Sequence, residues 1–233
     1  MAEPYTVISL SPLRKIIAAR MTEAKRTIPH FRLTAELEVD ALLELRKALQ
    51  ASTPDTKLSL NDLLIKACAT ALMETPAINI QWADGAIHQY HTADISVVIA
   101  VEGGLSTPII RSAESKSIEE ISTEVKALTA RAAKNALKMD EILGGTFSLS
   151  NLGMYGVDQF DAIINPPQCA ILAIGCATLR VVVSSERETR IATVLRVTLS
   201  ADHRAIDGAT GAAFLSALRR RVEQPGHLLL AKT

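Results

Sequence analysis

Ser200-Ala-Asp-His-Arg-Ala-Ile-Asp-Gly208 lies between two runs of opposite character. Before it, Ile191-Ala-Thr-Val-Leu-Arg-Val-Thr-Leu-Ser200 is rich in β-branched residues and reads as a strand. After it, Ala209 to Val222 reads as a helix. His203 and Asp207 therefore sit four residues apart at a strand-to-helix junction, beside Gly208. A histidine there suits a general base, because neutral imidazole, with a pKa near ~6.5, can take a proton at neutral pH. The same residue also suits a local brace that holds the junction together. Asp207 has two readings, a geometric support that pairs with an arginine or a partner that orients the His203 ring. Asp202 and Arg204 read as a local charge pair.

Working outward, Ser11-Pro12 opens a helix over Leu13 to about Lys25, with Ser as cap and Pro in the first turn. Phe31 to Val39 alternates as a half-buried strand does. Asp40 is expected to cap a second helix to about Leu49, and Asn61 a third over Asp62 to Met73. Asp84-Gly85 joins Ile78–Trp82 and Ala86–Tyr90 as a hairpin. Asp94 to Val101 reads as one buried strand, followed by a turn at Gly103-Gly104. Ser117 with Glu120 forms a capping box for a helix to about Ala136. Further strands are expected near Thr146–Ser150, Gln168–Gly175 and Val181–Val183. The whole implies one mixed α/β domain, helices on a large sheet, over residues 11–233, with residues 1–10 as an extended arm.

Lys+Arg and Asp+Glu both number 25 in 233 residues, which argues against a nucleic-acid or membrane-surface partner. Hydrophobic residues make up 48%, so a large core is possible and some apolar surface is expected between subunits. Cys68, Cys169 and Cys176 are odd in number and form no CxxC, so neither a disulfide framework nor a zinc site is expected. A reducing compartment, the bacterial cytoplasm or its equivalent, is expected instead. No secretory leader is evident, and no run of ~18 apolar residues occurs.

A second constellation is Gly144-Gly-Thr-Phe-Ser-Leu-Ser-Asn-Leu-Gly-Met-Tyr-Gly156, a strand running into a glycine-punctuated turn. A serine at that strand end suits an oxyanion donor, and equally an ordinary strand-end serine. It is not in a G-x-S-x-G elbow, which discounts a nucleophile.

These two segments, with Ile163-Ile-Asn-Pro-Pro-Gln-Cys-Ala-Ile-Leu172, Arg14-Lys-Ile-Ile-Ala-Ala-Arg-Met21, Ile28-Pro-His-Phe31, Asn61-Asp-Leu-Leu-Ile-Lys-Ala67 and Gly103-Gly-Leu-Ser-Thr-Pro-Ile-Ile-Arg111, closely resemble in order the catalytic core of the dihydrolipoyl acyltransferases of 2-oxo acid dehydrogenase complexes. The resemblance implies a chloramphenicol-acetyltransferase-like two-layer sandwich, a mixed β-sheet with packed helices. It implies a homotrimer whose site lies between subunits, in a channel entered by coenzyme A at one end and by lipoamide at the other. On the matching positions His203 is the general base on the incoming thiol and Ser150 of the neighbouring subunit bonds the oxyanion, with Ser148 the alternative. Asp207 fills the family's Asp/Asn position, and Arg14 is its candidate partner. The turn residues Asn151, Leu152 and Gly153 are expected to contact substrate. No metal is implied. The turn looks most like that of acetyl-transferring, pyruvate dehydrogenase-type members.

The lipoyl and subunit-binding domains of full-length members find no counterpart here, which suggests either an excised core or a stand-alone homologue using a separate lipoyl or acyl-carrier protein. Leu228-Leu229-Leu230 could dock a neighbouring trimer in a 24-subunit cube, although Ala231-Lys232-Thr233 follow. A non-catalytic scaffold would most simply have lost His203 or Ser150. Antibiotic-acetylating relatives usually show His-His where this chain has Asp202-His203. His30, His88, His91 and His227 read as structural or exposed.

Overall fold

The computed structural model describes residues 3–229 except 55, 102, 103 and 185. Gly103, Leu230 and residues 231–233 thus lie outside the described residues. Residues 3–10 are exposed and form no helix or strand.

Helix α1 (Pro12–Thr27) starts where Ser11 Oγ accepts the Arg14 N–H at 3.2 Å. Strand β1 (His30–Glu38), α2 (Asp40–Ser52) and α3 (Leu60–Glu74) follow. The hairpin β2 (Ile80–Ala83) and β3 (Ala86–Gln89) turns on Asp84 and Gly85, both at positive φ, as a tight two-residue turn requires. Next come β4 (Ile95–Val97), β5 (Ile99–Val101), β6 (Gly104–Ser106), β7 (Ile109–Ile110) and α4 (Ile118–Ala133), whose Ser117/Glu120 capping box is formed. The chain ends with β8 (Phe147–Asn151), β9 (Ala170–Ile174), β10 (Thr178–Val183), β11 (Thr189–Asp202) and α5 (Gly208–Glu223).

The main sheet runs β1-β11-β9-β8-β4-β7, with β10 extending alongside β11. The β4–β8 and β8–β9 pairs are parallel and the rest antiparallel, so the sheet is mixed. One face carries Leu37, Leu195, Val197, Leu199, Leu172, Phe147 and Leu149 into a core shared with α2, α3, α4 and α5. Phe147 and Phe214 meet at its centre, 5.3 Å between rings. Alternation sends Ser96, Ser148, Ser150, Thr198 and Ser200 to the opposite face. There a smaller apolar cluster, Ala24, Ile28, Ile164 and Ile171, seats α1 and the loop before β9.

Three expectations need correction. Asp40 does not cap α2; it is the first helical residue, and its carboxylate takes the Thr193 N–H of β11 at 2.9 Å. The cap of α3 is Ser59, in a reciprocal box with Asp62, and Asn61 lies inside the first turn. The strand expected over Asp94–Val101 bends at Val98, so β5 leaves the main sheet to pair with β6. At the C-terminus, Leu228 is buried in its own chain's core and Leu229 is exposed. No helix among the described residues is long and apolar enough to cross a membrane.

Candidate active site

The His203 end is built where β11 stops. Asp202 is 1% exposed, and its carboxylate receives the Arg204 Nε and Nη2 groups at 3.0 and 2.7 Å and the Arg204 N–H at 3.0 Å. Arg204 also stacks on Trp82, 4.7 Å from the ring centroid. This closed pair folds the chain back on itself and leaves His203 at the apex, exposed in the single chain. The His203 N–H donates to Pro29 O at 3.1 Å, and its ring packs on Phe31, 4.5 Å between centroids.

His30 braces that cradle. Its Nε2 accepts the Ile164 N–H at 3.1 Å, so the proton is on Nδ1, which donates to Ile28 O at 2.9 Å. Burial holds its pKa below the ordinary histidine value and keeps the ring neutral. His88, His91 and His227 are exposed.

Asp207 is the cap of α5, with Oδ1 accepting the Thr210 N–H at 2.7 Å. That bond, more than any other influence, holds its carboxyl below the usual range; the Thr210 hydroxyl, the Ala209 N–H and the charge of His203 act the same way. Among the described residues it makes no hydrogen bond to the His203 ring. Arg14 sits in the first turn of α1.

The Ser150 end is built where β8 stops. Ser148 is committed, its hydroxyl bonded to Gln168, whose Nε2 reaches Ser96 at 2.9 Å. Ser150 is 8% exposed, and its hydroxyl has no hydrogen-bond partner among the described residues. The donors beside it are spent inside the turn. The Leu152 N–H goes to Ile174 O at 3.1 Å, and the Gly153 N–H to Asn151 Oδ1 at 2.8 Å. Asn151 Nδ2 donates to Asn61 Oδ1 at 3.1 Å. A Cβ on Gly153 would stand 2.7 Å from Gly175 O, so no larger residue fits. Asn151, Leu152 and Gly153 are all half-buried, and the Leu152 side chain takes no part in these bonds.

The sheet register fixes how far apart the two ends are. Ser150 pairs with Ala173, and Ala173 with Thr198. His203 lies five residues beyond Thr198, one past the end of β11. At ~3.3 Å per residue and ~4.8 Å per strand, the offset is about 16 Å along the strands and about 10 Å across them, or roughly 19 Å in all. One chain does not bring its own His203 and Ser150 together. The cavity lined by Glu38, Asp40, Arg190 and Glu223 lies at the other end of β11 and serves neither residue.

The cysteines are unpaired, and burial pushes the Cys68 thiol up and that of Cys169 up to about 12. Neither is a nucleophile at neutral pH.

The family model for 2-oxoacid dehydrogenases acyltransferase (catalytic domain) matches residues 2–230. The chain belongs to this family. It is 48% identical over 231 residues to the dihydrolipoyllysine-residue acetyltransferase component of the pyruvate dehydrogenase complex of Rickettsia bellii, covering 98% of this chain and 55% of the relative. The chain thus spans about half the length of the relatives it matches. Among solved structures, the dihydrolipoamide acetyltransferase of Azotobacter vinelandii superposes with a TM-score of 0.92 at 29% identity, covering 97% of this chain and 94% of that one. That structure was described for the roles of a serine, a histidine and an asparagine in the catalytic mechanism. The cubic core of the pyruvate dehydrogenase multienzyme complex gives the same TM-score, identity and coverage. Chloramphenicol acetyltransferase superposes with a TM-score of 0.56 at 17% identity over 91% of this chain and 94% of its own, which establishes the shared fold.

His30 reads from the sequence as structural or exposed and is a structural brace, but the contacts that Phe31, His30 and Asn61 make with distant segments were not foreseen. Two of them stood in plain view in Ile28-Pro-His-Phe31, but no local pattern ties that segment to a histidine more than 170 residues later.

Proposed function

We propose that this chain transfers an acyl group, acetyl by preference, between dihydrolipoamide and coenzyme A, in a site shared by two subunits of a homotrimer. The observation that carries this is the separation of about 19 Å between two prepared half-sites in one chain. His203 is the general base. Its ring takes the thiol proton as sulfur attacks the thioester carbonyl carbon. The Ser150 hydroxyl of the neighbouring subunit donates to the oxyanion. As the tetrahedral intermediate collapses, the C–S bond to the leaving thiol breaks and His203 returns the proton to that sulfur. The step balances without a metal or redox partner.

Asp207 holds the start of α5, and with it the loop that presents His203; Arg14 is its proposed partner. Leu152 faces substrate, while Asn151 and Gly153 shape the turn. Residues 11–233 form the catalytic domain and residues 1–10 an arm. Lipoyl domains deliver the substrate, and trimers associate into a 24-subunit cube; the similarity to a structure described as a cubic core supports the cubic arrangement. A reducing compartment, the bacterial cytoplasm, fits the three unpaired cysteines.

The test is steady-state transfer from acetyl-, succinyl- and isobutyryl-CoA to dihydrolipoamide. Acetyl-CoA is expected to be the best donor. A preferred succinyl or isobutyryl donor would overturn the acetyl assignment, and no transfer from any donor would overturn the reading.

A further inference from the structure

Strand β8 is supported unevenly at the residue that matters most. On one side it pairs with β9 through Ser150↔Ala173 and Asn151↔Ile174. On the other, its ladder with β4 reaches only Val97↔Leu149, closed by the Val98 N–H on Leu149 O at 2.9 Å. The bend at Val98 then carries the chain away as β5. Ser150 and Asn151 therefore have a strand neighbour on one side only among the described residues. A strand end held on one side is free to twist, and twist redirects its side chains.

Alternation points Ser150 and Asn151 to opposite faces of the sheet. Asn151 shares the face of Phe147 and Leu149, the face covered by α3. There its Nδ2 donates to Asn61 Oδ1 in the first turn of α3, 3.1 Å away and 90 residues distant in sequence. Its Oδ1 simultaneously accepts the Gly153 N–H at 2.8 Å. The helix end is itself fixed by the Ser59–Asp62 box. One amide thus joins the unsupported strand end to a rigid helix start and closes the turn that follows.

We infer that Asn61 and Asn151 form a clamp that sets the direction of the Ser150 hydroxyl, making Asn61 a positioning residue for acyl transfer although it faces away from the substrate. The inference rests on Ser150 being the oxyanion donor. A clamp of this kind acts on the transition state and not on substrate binding, since misplacement of a reacting group by ~1 Å costs up to ~10² in rate.

The experiment measures acetyl transfer from acetyl-CoA to dihydrolipoamide by the full chain carrying Asn61→Leu, Asn61→Asp, Ser150→Ala and the double change Asn61→Leu/Ser150→Ala. Asn61→Leu removes the acceptor and is expected to lower kcat on the order of tenfold, with KM for acetyl-CoA within about twofold of wild type. Asn61→Asp keeps an acceptor oxygen in a first-turn position that favours acids, and should restore kcat to within about twofold. In the Ser150→Ala background, Asn61→Leu should cost little more, because both changes act through one hydroxyl. Additive losses would overturn the clamp, as would a normal kcat in Asn61→Leu. If Asn61→Leu fails to assemble, Asn61→Ser in both backgrounds serves the same cycle. Robust wild-type turnover with an additive cycle would reject the clamp alone; absent wild-type turnover would reject the acyl-transfer reading beneath it.

Discussion

The two ends of the central sheet are prepared in different ways. At the His203 end the backbone is tied on every side. Asp202 and Arg204 close the loop, Pro29 O holds the His203 N–H, and Phe31 packs on the ring. At the Ser150 end the strand loses a neighbour, and side-chain amides take over from the ladder. A base must move a proton and needs its ring fixed but reachable. An oxyanion donor needs only a direction, and one uncommitted hydroxyl provides it. Under the proposed function, the chain finishes two half-sites separately and leaves their union to assembly.

The largest expected effect is at the His203 end. His203→Ala should lower kcat by ~10²–10⁴ while leaving the far-UV circular dichroism unchanged. Near-normal turnover would remove the base from the comparison altogether. Ser150→Ala should cost ~10²–10³ in kcat with KM nearly unchanged. Ser148→Ala, by contrast, removes a buried bond to Gln168 and should show in the melting temperature more than in turnover.

Gly153→Ala sharpens the second half of the comparison. The added methyl meets Gly175 O, so the turn must shift, with a stability loss of ~1–3 kcal/mol and reduced kcat. Thermal melting and turnover read the two together.

Smaller effects come from the supports of His203. Asp207→Ala should lower the melting temperature by roughly 2–4 °C at pH 7, whereas Asp207→Asn, which can still cap, should stay close to wild type. The Asp207 pKa lies below the ordinary value in the folded chain. Its contribution is therefore present above that value and lost as pH falls through the folded one, so the gap between wild type and Asp207→Ala should close in acid. His30 works with the same sign for a different reason. Its folded pKa lies below 6.5, so the unfolded chain binds the extra proton and stability falls as pH drops below 6.5. His30→Gln should flatten that limb of the melting-temperature profile.

Much of this was legible from local pattern. The strand-to-helix junction around His203, the Asp84-Gly85 hairpin and the Ser117–Glu120 box are signals contained within a few residues, and all three form. What stayed hidden depends on distant partners. Asp40 looks like a cap until Thr193 of β11 claims its carboxylate, 153 residues away. Asn61 looks like a cap until Asn151 claims its oxygen. The bend at Val98 interrupts a run whose β-branched residues promise one strand, and the segment beyond it finds its partner in β6 rather than in β8. Residue type and placement marked His203, and the family resemblance marked Ser150 and a site between subunits; the sheet register adds that the two lie at opposite ends of one sheet.

Mixed assembly tests that separation most directly. His203→Ala and Ser150→Ala chains, each inactive alone, would be co-expressed in equal amounts and the mixed oligomers assayed for acetyl transfer. A site shared between neighbours takes its histidine from one chain and its serine from the next, so about a quarter of the sites should be intact and about a quarter of wild-type activity should return. Activity no greater than the sum of the two single variants would mean that His203 and Ser150 of one chain work together, and would contradict the account.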